Sequence, residues 1–86
     1  KSEKALAYSQ NFLRQCPTLP NLLTGDLEVR MIIHYVNRRS DLDESLILDL
    51  LQGRAYLNDR QVRRKIITGH IDRLNPRAEI WVKSYE

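Results

Sequence analysis

The chain has 86 residues, of which 42% are hydrophobic and 29% charged, a composition that suits one small domain with a single core. Glycine and proline are scarce, at three residues each, which excludes a disordered low-complexity chain. No apolar run approaches the roughly 18–20 residues of a membrane span, and the single cysteine, Cys16, excludes an internal disulfide. Because the chain begins with Lys1 and shows no signal-peptide pattern, we expect a trimmed or fragmentary sequence.

Positive charge is concentrated in the C-terminal part of the chain. Residues 54–86 hold eight Lys and Arg against four Asp and Glu, a net charge of +4. Residues 1–53 hold six against seven, a net charge of −1. Such an asymmetry indicates a polyanionic partner, and nucleic acid is the commonest one.

The first two predicted elements are helices separated by an extended connector. Residues 2–16 carry apolar side chains at spacings of three and four: Ala5, Tyr8, Phe12 and Cys16. The prolines of segment 17–21 predict the connector. A second helix is predicted over 25–39, with Thr24 as its N-cap, because its first turn is acidic and its last is basic. Its broad apolar set makes it the predicted centre of the core: Leu27, Val29, Met31, Ile32, Ile33, Tyr35 and Val36.

A short third helix is predicted between the acidic sequence 41–44 and Gly53. Asp41 or Asp43 would be its N-cap, with Glu44 completing a capping box, and Gly53 would follow its C-terminus. Its apolar residues would face the core: Leu46, Ile47, Leu50 and Leu51.

A fourth helix, over residues 59–74, is predicted to carry the basic residues on the side opposite its apolar ones, with Asn58 or Asp59 as its N-cap. Alternating apolar residues over 78–85 predict a short strand, paired with the connector or with a second chain. The predicted fold class is mainly α. It is a four-helix domain with a helix-turn-helix-like unit and a short C-terminal β-strand, and residues 1–86 form a single domain.

Within the basic segment, Asp59-Arg60-Gln61-Val62 is followed by Ile71-Asp72-Arg73-Leu74. This pattern resembles the recognition helix of response-regulator-type helix-turn-helix and winged-helix DNA-binding domains, and the resemblance covers roughly residues 42–85. It implies that one helix crosses the DNA backbone while the next lies in the major groove. The sequence EIWVKSY would supply the strand that follows the recognition helix in the winged class.

The predicted DNA contacts are hydrogen-bond donors on or beside the fourth helix. Arginine and lysine suit phosphates or the O6/N7 edge of guanine, and glutamine suits a bidentate contact with adenine. Asparagine at the helix start would help to hold a phosphate. The predicted nucleic-acid-binding residues are Asn58, Arg60, Gln61, Arg64, Lys65, Thr68, Arg38, Arg39, Arg54 and Arg77.

No catalytic, cofactor or metal motif is present in the sequence. The acidic residues near the third helix fit capping and surface positions, and the three glycines form no phosphate-binding loop. His34 and His70 have no Cys or His at ligand spacing, and Cys16 lies on an apolar helix face as a predicted buried thiol. We therefore predict a protein that is not an enzyme and has no cofactor.

The sequence predicts a DNA-binding transcriptional regulator or replication accessory domain, a homodimer, located in the cytoplasm and nucleoid-associated or nuclear if it binds DNA. The alternative is a small helical adaptor or regulatory subunit that binds an acidic or apolar surface of a protein partner. The predicted second helix, or Trp81 with Tyr85, would then be its docking surface. RNA binding ranks third, because basic and aromatic residues do not interleave along the chain.

Overall fold

A computed structural model describes residues 3–38 and 44–86 and shows an α+β fold. Over these ranges the chain forms two α-helices, one 3-10 helix and three β-strands. Their order is α1 (Glu3–Gln15), β1 (Leu27–Tyr35), α2 (Glu44–Leu50), the 3-10 helix (Asp59–Gln61), β2 (Val62–Ile71) and β3 (Arg77–Ser84). The predicted mainly α four-helix domain is therefore wrong, and so is the all-α class.

The resemblance to helix-turn-helix and winged-helix domains is contradicted by the same order of elements. The segment expected to be the recognition helix forms only a single 3-10 turn, and the chain then runs on as strand β2. Leu74, expected on the apolar side of that helix, is 97% exposed in the turn after β2. The predicted caps Asp41 and Asp43 lie outside the described residues.

The segment predicted as the second helix is the central strand of the sheet. Leu27, Val29, Met31 and Ile33 are fully buried, and the residues between them are partly or fully exposed. This alternation has the period of two that a strand with one buried face requires. Ile32 lies on the partly exposed side of the strand. It is apolar like its neighbours Met31 and Ile33, so this run of three apolar residues also fits a helix. Thr24 consequently caps no helix.

The three strands form a mixed sheet in the order β2-β1-β3. Strand β1 pairs with β2 in parallel and with β3 in antiparallel orientation. The predicted C-terminal strand is confirmed, but its partner is β1 rather than the connector. Leu27 pairs with Val62 and Glu28 pairs with Arg64, so Arg63 is the extra residue of a β-bulge.

Both α-helices pack on one face of the sheet. Ile47, Leu48 and Leu51 from the α2 region join the buried β1 residues in one core cluster. Tyr8 and Phe12 of α1 pack against the same cluster. None of the described helices has the length and hydropathy needed to cross a membrane. The fold is thus a two-layer arrangement with its core between the sheet and the helices.

The segment between α2 and the 3-10 helix is held by backbone hydrogen bonds to the connector. The amides of Leu19 and Leu23 donate to the carbonyls of Arg54 and Ala55, at 2.8 Å each. Within this segment Gly53 has a φ of +81°, a left-handed conformation that residues with a Cβ rarely adopt. Gly53 was predicted as the residue that directly follows the third helix, but that helix ends at Leu50, and the Gly53 amide donates to the Tyr56 carbonyl at 2.7 Å.

Replacing Gly53 with alanine should lower the free energy of unfolding by about 1–2 kcal/mol, the cost of a Cβ in the left-handed region. A Cβ at this position would meet nothing within 4 Å, so the loss of stability measures only the strain of the left-handed backbone conformation. Gly53→Asn should cost less, because asparagine tolerates this conformation better. Urea titration measures both variants, and equal losses for the two would contradict the conformational explanation.

Candidate nucleic-acid interface

The second face of the sheet is covered by none of the described helices, and we call it the open face. Residues of β1 that alternate with the buried ones point to this side. Residues directly opposite each other on paired strands share a face, so the register identifies the other members. The open face comprises Glu28, Arg30, Ile32 and His34 of β1, Arg64, Ile66, Thr68 and His70 of β2, and Arg77, Glu79, Trp81 and Lys83 of β3.

One end of the open face is a row of two cations around one carboxylate. Glu28 Oε1 lies 3.5 Å from Arg64 Nε, and Glu28 Oε2 lies 3.5 Å from Lys83 Nζ. The Glu28 side chain is only 12% exposed, whereas those of Arg64 and Lys83 are 58% and 73% exposed. The carboxylate therefore lies beneath two cations that solvent and ligands can reach.

The next row places a cation against the one tryptophan of the chain. Arg30 and Trp81 are paired across β1 and β3, and the Arg30 guanidinium carbon lies 4.5 Å from the centroid of the indole ring. This geometry is a cation–π contact, which fixes both side chains on the surface. With Arg30 in place, Trp81 is still 45% exposed. The pair is thus an accessible combination of a flat ring and a positive charge.

The far end of the open face carries two histidines that stack across the parallel strands. The rings of His34 and His70 have centroids 5.7 Å apart and an interplanar angle of 23°. His34 Nε2 lies 2.6 Å from Glu79 Oε1, and Arg77 Nη2 lies 3.7 Å from the same oxygen. The His34 side chain is only 13% exposed, so the far end presents the exposed His70 ring, stacked on His34, beside a cation.

Asp72 anchors Arg77 from the turn between β2 and β3. Its Oδ2 accepts a 3.0 Å hydrogen bond from Arg77 Nη1, while Oδ1 accepts from the amides of Leu74 and Asn75. The Arg77 bond, followed by that from the Asn75 amide, lowers the pKa of the Asp72 carboxyl below its ordinary value. The carboxylate thus stays ionised to a lower pH and keeps Arg77 directed along the turn.

The charges on the open face do not balance. It holds four permanent cations (Arg30, Arg64, Arg77 and Lys83) and two carboxylates (Glu28 and Glu79), and Asp72 at its edge pairs with Arg77, which leaves an excess of one positive charge when the histidines are neutral. A flat, positively charged surface with exposed rings can bind an anionic ligand that also presents planar groups.

The sequence-predicted contact residues are divided between this face and other places. Arg64, Thr68 and Arg77 lie on the open face. Lys65 is in register with Val29 and so belongs to the opposite side of β2, where it is exposed. Arg60 is exposed in the 3-10 helix.

Three of the predicted contact residues have structural hydrogen bonds instead. The Gln61 amide nitrogen donates to the carbonyls of Leu23 and Gly25, and its oxygen accepts from two backbone amides. Asn58 caps the 3-10 helix by accepting from the Arg60 amide. Arg54 Nη1 donates to the Cys16 carbonyl at 2.8 Å. Within the fold these bonds engage the Gln61 side-chain amide, the Asn58 side-chain oxygen and one nitrogen of Arg54.

Arg38 is exposed just after β1, and Arg39 lies outside the described residues. Cys16 is only partly buried and packs against the core. In the described part of the chain, no group of three or more His, Cys, Asp or Glu side chains is placed to hold a metal ion.

Sequence reasoning missed four members of the open face as binding candidates, and it named Trp81 only for the adaptor alternative. The period of two in 27–35 was the signal for the β1 residues, whereas those of β2 and β3 follow from the strand register. The missed residues are Arg30, His34, His70 and Lys83.

Comparison with protein-family models, with curated proteins and with solved structures gave no match to this chain. The charge and the exposed rings of the open face are the features that bear most directly on function.

Proposed function

We propose that the protein binds nucleic acid with the open face of its sheet. The observation that carries this proposal is the Arg30–Trp81 pair, which lies between the cations at the two ends of the face. Nucleic acid offers both groups that such a surface attracts, the phosphate charge and the flat base. The binding element differs from the predicted one, because it is a sheet face rather than a recognition helix.

The four cations of the open face set an upper limit on the salt dependence of binding. Each neutralised phosphate of a single strand contributes about −0.7 to the slope of log K against log salt, so four contacts give about −2.8. Affinity would then fall by up to about 50-fold between about 50 and about 200 mM salt. Because Arg64 and Lys83 share Glu28, the observed slope should be somewhat smaller.

A role in transcription control or in replication accords with a small nucleic-acid-binding module of this kind, and such a protein would act in the cytoplasm or the nucleus. The predicted homodimer stays a prediction. Its test is the oligomeric state of the chain in solution with and without the oligonucleotide.

Fluorescence anisotropy of a short labelled oligonucleotide, titrated as a single strand and as a duplex at two salt concentrations, tests the proposal. We expect dissociation constants on the order of 1–100 μM, the range of non-specific binding, with a marked loss at the higher salt. Absence of binding to either form at low salt would overturn the proposal.

A pair of charge-matched variants tests the position of the binding surface. Arg64→Ala removes an open-face cation, whereas Arg14→Ala removes a cation from α1, where Arg14 bonds to Asn11. Only Arg64→Ala should reduce the salt slope, by about 0.7, and weaken binding severalfold at low salt. Equal effects of the two variants would mean that binding follows net charge, which contradicts a defined face.

The adaptor alternative receives less support from the geometry. Its expected docking surface on the second helix is the buried side of β1. Phe12 packs against the core beneath the sheet, whereas Trp81 lies on the opposite side, so these aromatics do not form one exposed patch. Leu6 and Leu13 of α1, 49% and 41% exposed, are among the exposed apolar residues that a protein partner could still cover.

A further inference from the structure

We infer that the ligand class of the open face is single-stranded nucleic acid, with bases stacked on Trp81 and on the His34–His70 pair. This inference rests on the proposed function and deepens it. Three observations support it: the exposed rings, the position of the helices, and the spacing of the rings and cations over the face.

The exposed rings favour a ligand whose bases are free to stack. Trp81 keeps 45% of its surface open while Arg30 lies against its ring. His70 is exposed at the opposite edge of the sheet and stacks on His34. Bases in a duplex are stacked on one another, so these rings reach base faces only in a single strand. Duplex binding would leave the rings without a function.

The position of the helices disfavours duplex readout. A protein reads the major groove by inserting an α-helix or a two-stranded ribbon into it. In the described residues both α-helices pack on the covered side of the sheet, and the open face presents three adjacent strands. Adjacent strands lie about 4.8 Å apart, so this surface is about 10 Å wide between its outer strands. The open face is therefore a flat platform and not an element that projects into a major groove.

The spacing of the rings over this platform suits separate bases. Trp81 is in register with Arg30 on β1, and His70 is in register with His34, two rows further along. Two strand spacings of about 4.8 Å each and two rows of about 6.7 Å each place the two residues about 16 Å apart. The rings therefore receive different bases, and Arg30 on the central strand lies between them. A sheet-face module typically stacks two or three bases.

The cations at the two ends of the face would contact the phosphates that flank the stacked bases. Arg64 and Lys83 lie one row before the Arg30–Trp81 pair, and Arg77 is in register with His34. Each ring on the face thus has a cation within one row. A base could stack on the ring while a neighbouring phosphate contacts the cation.

The chain contains a single tryptophan, so its intrinsic fluorescence reports directly on the proposed site. We would titrate the intact protein with an unlabelled homothymidine single strand, with a homouridine single strand, and with a duplex of the same length. Both single strands should quench Trp81 emission and bind at least about tenfold more tightly than the duplex. The relative affinity of the thymidine and uridine strands identifies DNA or RNA as the preferred source.

Variants of the rings separate stacking from charge. Trp81→Ala should weaken single-strand binding by about 5- to 150-fold, the range for loss of one base–aromatic stack. Its duplex affinity and its salt slope should be unchanged, and Trp81→Phe should retain most of the single-strand affinity. His70→Ala should weaken single-strand binding in the same direction. Thermal unfolding of each variant verifies that the fold is intact.

The outcomes distinguish this inference from the proposed function. Salt-dependent binding with equal affinity for duplex and single strand, and without tryptophan quenching, would overturn the single-strand inference and leave the nucleic-acid proposal standing. Absence of binding to all three ligands would overturn both.

Discussion

Replacing Tyr56 with alanine should lower the free energy of unfolding by about 3–5 kcal/mol, the usual cost of removing a buried aromatic side chain. Tyr56 is fully buried in the core cluster, and its hydroxyl donates a 2.7 Å hydrogen bond to the Leu48 carbonyl of α2. The variant thus loses the packing of a ring and the tie between α2 and the following segment. Because a small domain has a total stability of about 5–15 kcal/mol, the variant should be largely destabilised.

Tyr56→Phe separates the two contributions. It keeps the ring and removes only the hydrogen bond, so it should cost about 1–2 kcal/mol, which is the penalty for leaving a buried acceptor unpaired. Urea titration monitored by circular dichroism measures both variants. Equal losses for Tyr56→Phe and Tyr56→Ala would show that packing of the ring contributes nothing, which contradicts the structure.

The same residue makes stability sensitive to alkaline pH. Burial, with smaller contributions from Asp59 and Asp49, raises the pKa of the Tyr56 hydroxyl well above its ordinary value of 10.0. The folded state therefore holds this proton to a higher pH than the unfolded state does. Stability should be unaffected below about pH 10 and should decline above it, and burial of Tyr8 acts in the same direction. Tyr56→Phe should make the decline shallower.

Glu28→Gln should increase the affinity for nucleic acid. The Glu28 carboxylate lies beneath the exposed side chains of Arg64 and Lys83 and pairs with each at 3.5 Å. The substitution keeps the shape of the side chain, removes its charge, and releases two cations for phosphate contact. One additional phosphate contact at about 50 mM salt corresponds to a gain of roughly 5- to 10-fold, with a slope more negative by about 0.7.

A gain in affinity is a sharper result than a loss, because a damaged fold cannot produce it. Asp26→Asn is a suitable control, since Asp26 pairs with Arg63, which lies at the bulge and outside the open face. It makes the same change in net charge and should leave affinity nearly unchanged. If both variants increase binding equally, the effect comes from overall charge. If Glu28→Gln weakens binding while the fold is intact, the open face is not the binding surface.

The sequence predicted the elements whose signals are local. Helix α1 was expected over 2–16 and is observed at Glu3–Gln15, and the strand expected over 78–85 is observed at Arg77–Ser84. The predicted cap at Asn58 is also observed, although the helix that it begins is a single 3-10 turn. Caps, prolines and strict alternation act within a few residues, so one segment contains the whole signal.

The two strands read as helices are those whose identity depends on distant segments. The contiguous apolar residues Met31-Ile32-Ile33 in β1 and Ile66-Ile67 in β2 satisfy a helical and a strand pattern equally well. What decides between them is the parallel pairing of β1 with β2, which only the folded chain brings together. Long-range pairing overrides local preference in such segments.

The candidate site was only partly predictable for the same reason. The basic segment pointed to nucleic acid, and Arg64, Thr68 and Arg77 were named from it. The contact between Arg30 and Trp81 is produced by antiparallel register between residues far apart in the chain. Basic and aromatic residues do interleave on the open face, although they do not interleave along the sequence.

The strand order also determines how the chain can fold as it is synthesised. Strand β1 is the middle strand, yet both of its neighbours lie near the C-terminal end of the described residues. As the ribosome releases the chain, the apolar residues of β1 emerge long before either partner. Non-local pairing of this kind slows folding and leaves an incomplete sheet exposed to association with other chains. A nascent chain arrested before residue 77 should therefore need chaperone protection that a chain including β3 does not.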